Sequence, residues 1–555
     1  MRISPKQLLH GLFYSTPVLL LALAACGGGG GGGGSSGVAA AITATATPTA
    51  QILTVGSPMT PFSPLTASGG TPPYTYSNSG TLPGGVTMVP STGVVSGAPS
   101  IAASGVTATM TFSVRDANNV VASTTSTVNF AVFGAWGGTK QLGASGATTR
   151  GFSTATDASG NVYVAGSTTG NLVSGIGLST GNSDFFLSTF SAASAPAVTK
   201  QMGVSGTVTI GNSVATDASG NVYVAGSTTG NLVNNTSLST NTTDMFLARY
   251  DSSGNLAASK SIIQLGVIGA DTIGYAVATD ASGNVYVAGS TIGNLDGNHS
   301  AVTTDMFLAK YDSSGNPATI KPIIQLGVIG ADTIGYAVAT DASGNVYVAG
   351  STTGNLDGNH STVTTDMFLI KFNAAGAVSY TKQLGASGKN TLGLSVATDA
   401  NGNVYVTGNS CMAATASTCQ NATTYMFLTK YTASGGFVYT NLLGMASADT
   451  RGLSVATDSY GNVYVSGITT ADFALGNPLS SSTSDSFLTK YDASGTKVYT
   501  RQLGVSGAAT SGNAVATYAN GNVFVAGDTG GALGPAKVGI QDFFLTKYGA
   551  DGGIQ

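Results

Sequence analysis

The stretch Asp157-Ala158-Ser159-Gly160-Asn161-Val162-Tyr163-Val164-Ala165-Gly166-Ser167 decides the fold, because it recurs seven times along the 555-residue chain. Its asparagine returns at Asn221, Asn284, Asn345, Asn403, Asn462 and Asn522, at intervals of 60, 63, 61, 58, 59 and 60 residues by subtraction. Self-similarity at a fixed period is the mark of a repeat architecture. A unit of this length has room for four short strands and their turns, the size of one blade of a β-propeller. The expected fold is therefore all-β, a seven-bladed β-propeller over residues 136–555 preceded by a small sandwich.

Each unit carries four strand-like phrases. They are V-A-T-D (Val214 to Asp217), N-V-Y-V-A-G-S (Asn221 to Ser227), D-M-F-L-x-[KR]-Y (Asp244 to Tyr250) and K-Q-L-G (Lys382 to Gly385). Val162-Tyr163-Val164 is a β-branched and aromatic run, as expected of a strand buried on both faces between neighbouring blades. The phrases resemble the SBBP family of β-propeller repeats, a relative of the NHL repeat, over about three quarters of the chain. A K-Q-L-G copy, Lys140 to Gly143, precedes the first V-A-T-D-like strand, and the seventh unit stops at its third strand, Asp542 to Tyr548. Taken as the outer strand, the N-terminal copy closes the last blade, as related propellers do. Taken as the inner strand, it keeps the blades in phase with the sequence. We adopt the first reading.

Three columns of charge run through the repeats. Asp157, Asp217, Asp280, Asp341, Asp399 and Asp458 precede the x-x-G-N turn, with Tyr518 in the seventh copy. The ordinary reading is a turn residue accepting backbone N–H bonds; the sharper one is a ring of carboxylates near the axis that binds a cation. A second column, Asp184, Asp244, Asp305, Asp366, Asp485 and Asp542, opens the third strand, with Tyr425 in its place once. A basic column, Arg249, Lys310, Lys371, Lys430, Lys490 and Lys547, is interrupted by Thr189. Both read as solvated or locally paired strand ends.

Residues 51–133 have another texture. Gly70-Thr71-Pro72-Pro73-Tyr74-Thr75-Tyr76, Gly80 to Met88 and Ser91 to Pro99 are turns leading into alternating segments. Met110 to Val114 and Val128 to Phe133 alternate likewise. Short strands punctuated by Gly and Pro predict a β-sandwich. The phrases resemble the Ig-like module of bacterial surface proteins, which implies a spacer or adhesive role.

Upstream, Arg2 and Lys6 precede an apolar run from Gly11 to Ala24. The run is short for a transmembrane helix and suits an export signal, residues 1–25. Leu23-Ala24-Ala25-Cys26 resembles the lipobox of bacterial lipoproteins. That resemblance implies cleavage before Cys26, acylation of that residue and a membrane partner held through lipid. Gly27 in place of the Asp that retains such proteins at the inner membrane implies the outer membrane, facing the periplasm or the cell surface. Residues 26–50 hold an unbroken glycine run from Gly27 to Gly34 and an Ala/Thr-rich stretch. They read as a flexible tether spanning roughly 25–30 Å.

Charged residues are 8% of the chain and the net charge is −4, which argues against a nucleic-acid partner. All 24 acidic residues are aspartates, so paired-carboxylate chemistry must use Asp alone. No zinc-protease, nucleophile-elbow or phosphate-loop motif occurs. His299 and His360 repeat one another in the phrase L-D-G-N-H, beside Asp296 and Asp357. They read as solvated loop residues rather than a metal site, which needs several unlike ligands converging. Cys411 and Cys419 flank a loop of the fifth blade, and in an exported protein they are expected to form a disulfide. No cofactor and no catalytic residue is expected. The composition and phrases favour a membrane-anchored binding or scaffolding module with a protein or glycan ligand. The alternative is a propeller enzyme, a lyase or polysaccharide hydrolase with an axial site, which a cluster of unlike polar side chains at one end of the axis would favour.

Overall fold

The structure, a computed structural model, describes residues 41–47, 51–54, 59–100, 107–133, 138–173, 182–191, 198–233, 242–297, 303–358, 364–385, 388–411, 423–473, 483–518 and 521–555. Cys26, Cys419, His299 and His360 lie outside the described residues. Every regular element among the described residues is a strand.

Eight strands between Thr43 and Phe133 build the first module. Gln51–Thr54, Ser126–Phe133, Thr107–Arg115 and Thr75–Ser79 form one sheet in that order, its first pair parallel. Thr43–Ala46 pairs with Leu65–Ser68, and Val86–Met88 with Val95–Gly97. Leu65, Val95, Phe112, Val114, Val128 and Phe130 fill the space between them. Asp116 fixes the turn after Thr107–Arg115: it accepts N–H bonds from Thr71 at 3.0 Å and from Asn118 and Val120 at 2.9 Å. The Thr71 amide, foremost among these, holds the carboxyl below the usual aspartate range. One boundary differs from the sequence expectation. The segment assigned to the tether up to Ala50 already contains the strand Thr43–Ala46, and Ile42 is buried in the core. The alternation Ile42-Thr43-Ala44-Thr45 carries a strand signal that the neighbouring glycine run obscures.

Seven four-stranded antiparallel sheets follow. In the first blade the inner strand is Thr149–Thr156, the second Val162–Thr168, the third Asp184–Phe190 and the outer Val198–Met202. The second strands are buried along their length, Val162 and Val164 completely. Seven apolar clusters each join two neighbouring blades, such as Tyr163, Phe185 and Leu187 with Val222, Val224 and Phe246. Each large apolar side chain so buried contributes about 1.5–3 kcal/mol. The seventh cluster, around Val164, Phe186, Phe543 and Leu545, joins the last blade to the first.

That last blade is completed from the N-terminal side. Its sheet runs Thr510–Thr517, Val523–Thr529, Asp542–Tyr548 and then Lys140–Leu142. Leu142, Gln141 and Lys140 pair with Phe543, Phe544 and Leu545. K-Q-L-G is thus the outer strand, and the ring has no open edge blade.

Two glycines of the repeat are dictated by this geometry. Gly160 sits at φ 82° in the turn between inner and second strands, where a side chain would be strained. Gly166 lies under the carbonyl of Arg150, where a Cβ has no room. The close approach occurs where the inner strand carries a bulge.

Candidate functional site

The residues that the sequence singles out turn out to be fasteners. Asp157 accepts the N–H groups of Ser159 and Asn161 on Oδ1, at 2.9 Å each. Its Oδ2 accepts from Asn161 Nδ2 at 2.7 Å and from the Tyr163 hydroxyl at 2.9 Å. Asp217, Asp280, Asp341, Asp399 and Asp458 make the same four bonds in their own blades. A carboxylate has about four lone-pair positions, and all are taken by the turn. Burial raises the Asp341 carboxyl, but the bonds from Asn345 and Tyr347 outweigh it and leave it below the ordinary value. Among the described residues no three His, Cys, Asp or Glu side chains gather as a metal site. In the seventh blade Tyr518 replaces the aspartate and Phe524 replaces the tyrosine, so acceptor and hydroxyl donor are lost together.

The second aspartate column serves the K-Q-L-G glutamine. Gln201, Gln264, Gln325, Gln383, Gln502 and Gln141 donate to Asp184, Asp244, Asp305, Asp366, Asp485 and Asp542 at 2.8–3.0 Å. Each glutamine also clips the loop after the second strand; Gln201 donates to the Gly170 carbonyl and accepts the Leu172 N–H. Burial raises the Asp184, Asp244 and Asp485 carboxyls against the pull of these amides. In the fifth blade Tyr425 and Leu442 occupy the two positions, another paired loss.

The basic column clamps blade to blade. Lys310, Lys371, Lys430 and Lys490 lie 5.2–5.3 Å from the ring centroid of their own second-strand tyrosine. Each reaches the next blade's turn carbonyl, at Ala374, Ala433, Ala493 and Ala550, over 2.9–3.4 Å.

One position that differs from blade to blade lies at the axis. The inner strands bulge at equivalent positions, which hold Phe152, Asn212, Tyr275, Tyr336, Leu394, Leu453 and Asn513. All seven side chains are half-buried. Asn212 donates to the Gly274 carbonyl of the next inner strand and Asn513 to that of Gly151, each at 2.8 Å, so the ring runs around the axis. Tyr275 and Tyr336 stand side by side with centroids 5.3 Å apart. Burial raises both phenols, while hydroxyls of Ser290 and Ser351 draw them back. Across the ring, Arg150 donates through Nε to Gln541 at 2.9 Å. Gln541 donates to Asp528 at 2.9 Å, and Asn513 donates to the other Asp528 oxygen at 2.8 Å. Burial raises the Asp528 carboxyl against the Asn513 amide and the Arg150 charge. Arg150 is exposed and this network uses only its Nε. One sector of the mouth is therefore aromatic and the opposite sector polar, with an accessible guanidinium.

At the far end of the inner strands a circuit of hydrogen bonds runs from blade to blade. The hydroxyl of Thr156 donates to the carbonyl of Thr517, Thr216 to Thr156, Thr279 to Thr216, Thr340 to Thr279, Thr398 to Thr340, Thr457 to Thr398 and Thr517 to Thr457, at 2.7–2.9 Å.

Sequence comparison agrees with this geometry. The family described as Beta-propeller repeat, SBBP, matches residues 138–172, 199–232, 262–296, 323–357, 379–410, 438–474 and 498–535. The chain carries seven SBBP β-propeller repeats. Ahead of the SBBP ring, residues 41–131 match the family named Putative Ig domain. The Regulatory protein FlaEY of Caulobacter vibrioides is 34% identical over 139 residues, which are 23% of this SBBP chain and 14% of that protein. The extracellular domain of a B. thetaiotaomicron hybrid two component system covers 78% of the chain and 43% of its own at 10% identity and a TM-score of 0.35. The parainfluenza virus 5 hemagglutinin-neuraminidase ectodomain covers 66% and 83% at 9% identity and a TM-score of 0.28. The chain thus spans less than half of the first of these structures and a small part of the curated relative.

Proposed function

We propose that this protein is an exported lipoprotein, anchored in the bacterial outer membrane by acyl chains on Cys26, whose propeller mouth binds a protein or glycan ligand. The observation that carries the binding role is the bulge ring. Phe, Asn, Tyr, Tyr, Leu, Leu and Asn occupy one position of a repeat whose following phrase hardly changes. The fold needs no particular side chain there, so the aromatic and polar sectors are free to match a ligand. Ring stacking on Tyr275 and Tyr336 combined with donors from Arg150 suits a ligand with an apolar face and oxygen acceptors. Anchoring rests on the lipobox resemblance and the glycine tether.

One experiment addresses both parts. Wild type, Cys26→Ser and a Tyr275→Ala/Arg150→Ala pair are expressed in the producing bacterium and fractionated, and each is used to capture envelope proteins and glycans. Cys26→Ser should leave the membrane fraction or retain its signal, yet still capture ligand. The mouth pair should remain anchored and lose capture. A processed, membrane-bound Cys26→Ser protein contradicts the anchor, and capture by the mouth pair contradicts the site. The Arg150–Gln541–Asp528 cluster also supports the enzyme reading. Turnover of the captured glycan that disappears with Asp528→Asn would establish that alternative instead.

A further inference from the structure

Neighbouring blades meet in grooves at the outer rim, and the five between the second and seventh blades are lined by described residues. Three are filled by a tyrosine of the outer strand: Tyr380, Tyr439 and Tyr499, paired opposite Lys371, Lys430 and Lys490. Each ring packs on a turn glycine of the next blade, Gly435, Gly495 or Gly552. The three hydroxyls are buried without a hydrogen-bond partner, so the grooves hold these rings by their faces, with Lys371 and Lys382 over Tyr380 and Arg501 over Tyr499. The groove between the second and third blades is filled by Arg249, 8% exposed, which donates to the carbonyls of Ser259, Lys260, Ser313 and Ser314.

Between the third and fourth blades neither a tyrosine nor an arginine is present, and the turn glycine Gly376 meets Ile324 and the Lys321 stem instead. The tyrosine register position is Pro322, whose carbonyl accepts the Lys310 N–H. Lys310 takes the place of Arg249 and brings a smaller head group. A cavity of about 370 Å³ remains, walled by Tyr286, Phe372, Ile320 and Ile324, at the lower end of the range for small-molecule sites. Lys310, Lys321 and Asp312 are its charged groups. Asp312 is engaged by the backbone and side-chain amides of Asn316 at 2.8 Å each. The Lys310 ammonium lies over the Tyr286 ring and donates to the Ala374 carbonyl, and the Lys321 ammonium donates to that of Gly376, each at 3.4 Å; an ammonium has three donors.

We propose that this groove binds a small aromatic carboxylate. The ring lies in this cavity beside Ile324, in the groove equivalent to those that the chain's own tyrosines fill, and the carboxylate meets Lys310 and Lys321. The site is separate from the mouth and stands independently of the function proposed there.

The test uses the full chain with methyl-labelled isoleucines, followed by NMR during titration with benzoate, p-cresol and cyclohexanecarboxylate. Benzoate should shift the Ile320 and Ile324 methyls. Lys310→Met combined with Lys321→Met should weaken it about tenfold, the factor for losing a charge-assisted hydrogen bond. Pro322→Tyr should supply the missing ring, abolish the shifts and leave the thermal midpoint unchanged or higher. Ile324→Trp fills the same space by another wall and should give the same loss. Unmoved methyls in the folded wild type would overturn the proposal, as would unchanged benzoate shifts in both filled variants. Cyclohexanecarboxylate binding as tightly as benzoate would overturn the aromatic assignment.

Discussion

Tyr518 and Phe524 form a natural double substitution, and they indicate what the repeated Asp and Tyr do for each other. Where the carboxylate is missing, the hydroxyl that it would accept is missing too. Asp341→Ala should therefore cost about 1–3 kcal/mol, since it strands buried donors, and Tyr347→Phe less. Together they should cost less than their sum by about 0.5–3 kcal/mol, as for residues sharing one bond. Urea unfolding of the four proteins measures this, and strict additivity would mean that the bond carries no stability. Lys547 makes a second case. It is 6% exposed, lies opposite Phe524 where other blades have tyrosine, and burial pulls it down to about 8 from 10.5. Its folded value lies below its unfolded one, so between them the unfolded chain binds more protons. Stability should rise as pH climbs from about 8 toward 10. Above 10.0 the buried tyrosines act in the opposite sense, because burial has raised them. Melting curves at pH 7.5 to 9.5, a range chosen to lie below about 10 where model tyrosine titrates, should drift upward for wild type and stay flat for Lys547→Met.

Single strands and loops explain which features were readable beforehand. The strand phrases, their number and the closing role of Lys140–Leu142 were legible, because a strand buried on both faces needs an apolar run and a turn needs its Asp and Gly. The basic column's partners were not legible. They are main-chain carbonyls of the next blade, such as that of Ala433, and a carbonyl leaves no mark on sequence. The mouth was missed for a different reason. Its signal is variation at Phe152 and its counterparts, and a changing position inside a repeat looks like noise until a bulge gathers the seven copies around one axis. The threonine circuit had a constant residue but no visible partner, since six of its bonds span about one repeat each and the closing one, from Thr156 to Thr517, spans 361 residues. The loop of the fifth blade keeps one open expectation. Cys411 ends the strand Val404–Cys411, opposite Asn390 and Thr424, and is 1% exposed. A bridge to Cys419 across so short a loop would stabilise by roughly 2–3 kcal/mol. Alkylation and mass spectrometry of protein taken from the producing cell should find both thiols blocked, and modification of either without reductant refutes the bridge.

For the whole molecule, closure is the property to test. Beyond the three strand pairs, Gln141 donates to Gly531 and Asp542 at 3.0 Å each, Thr139 bonds Thr546 at 2.9 Å, and Gly138 donates to the Gln555 carbonyl at 3.0 Å. A chain beginning near Gly134 should keep all of these and fold without the Ig domain. One beginning near Gly151 exposes the third strand of the seventh blade and should melt lower and aggregate. Equal melting of the two would mean that the ring tolerates an open seam. The same clasp also sets how the molecule meets tension. A pull arriving from the N-terminal side passes through Thr139 directly into Lys140–Leu142. The first bonds loaded are then those that shut the ring, and the other six blades bear force only after this short strand has given way.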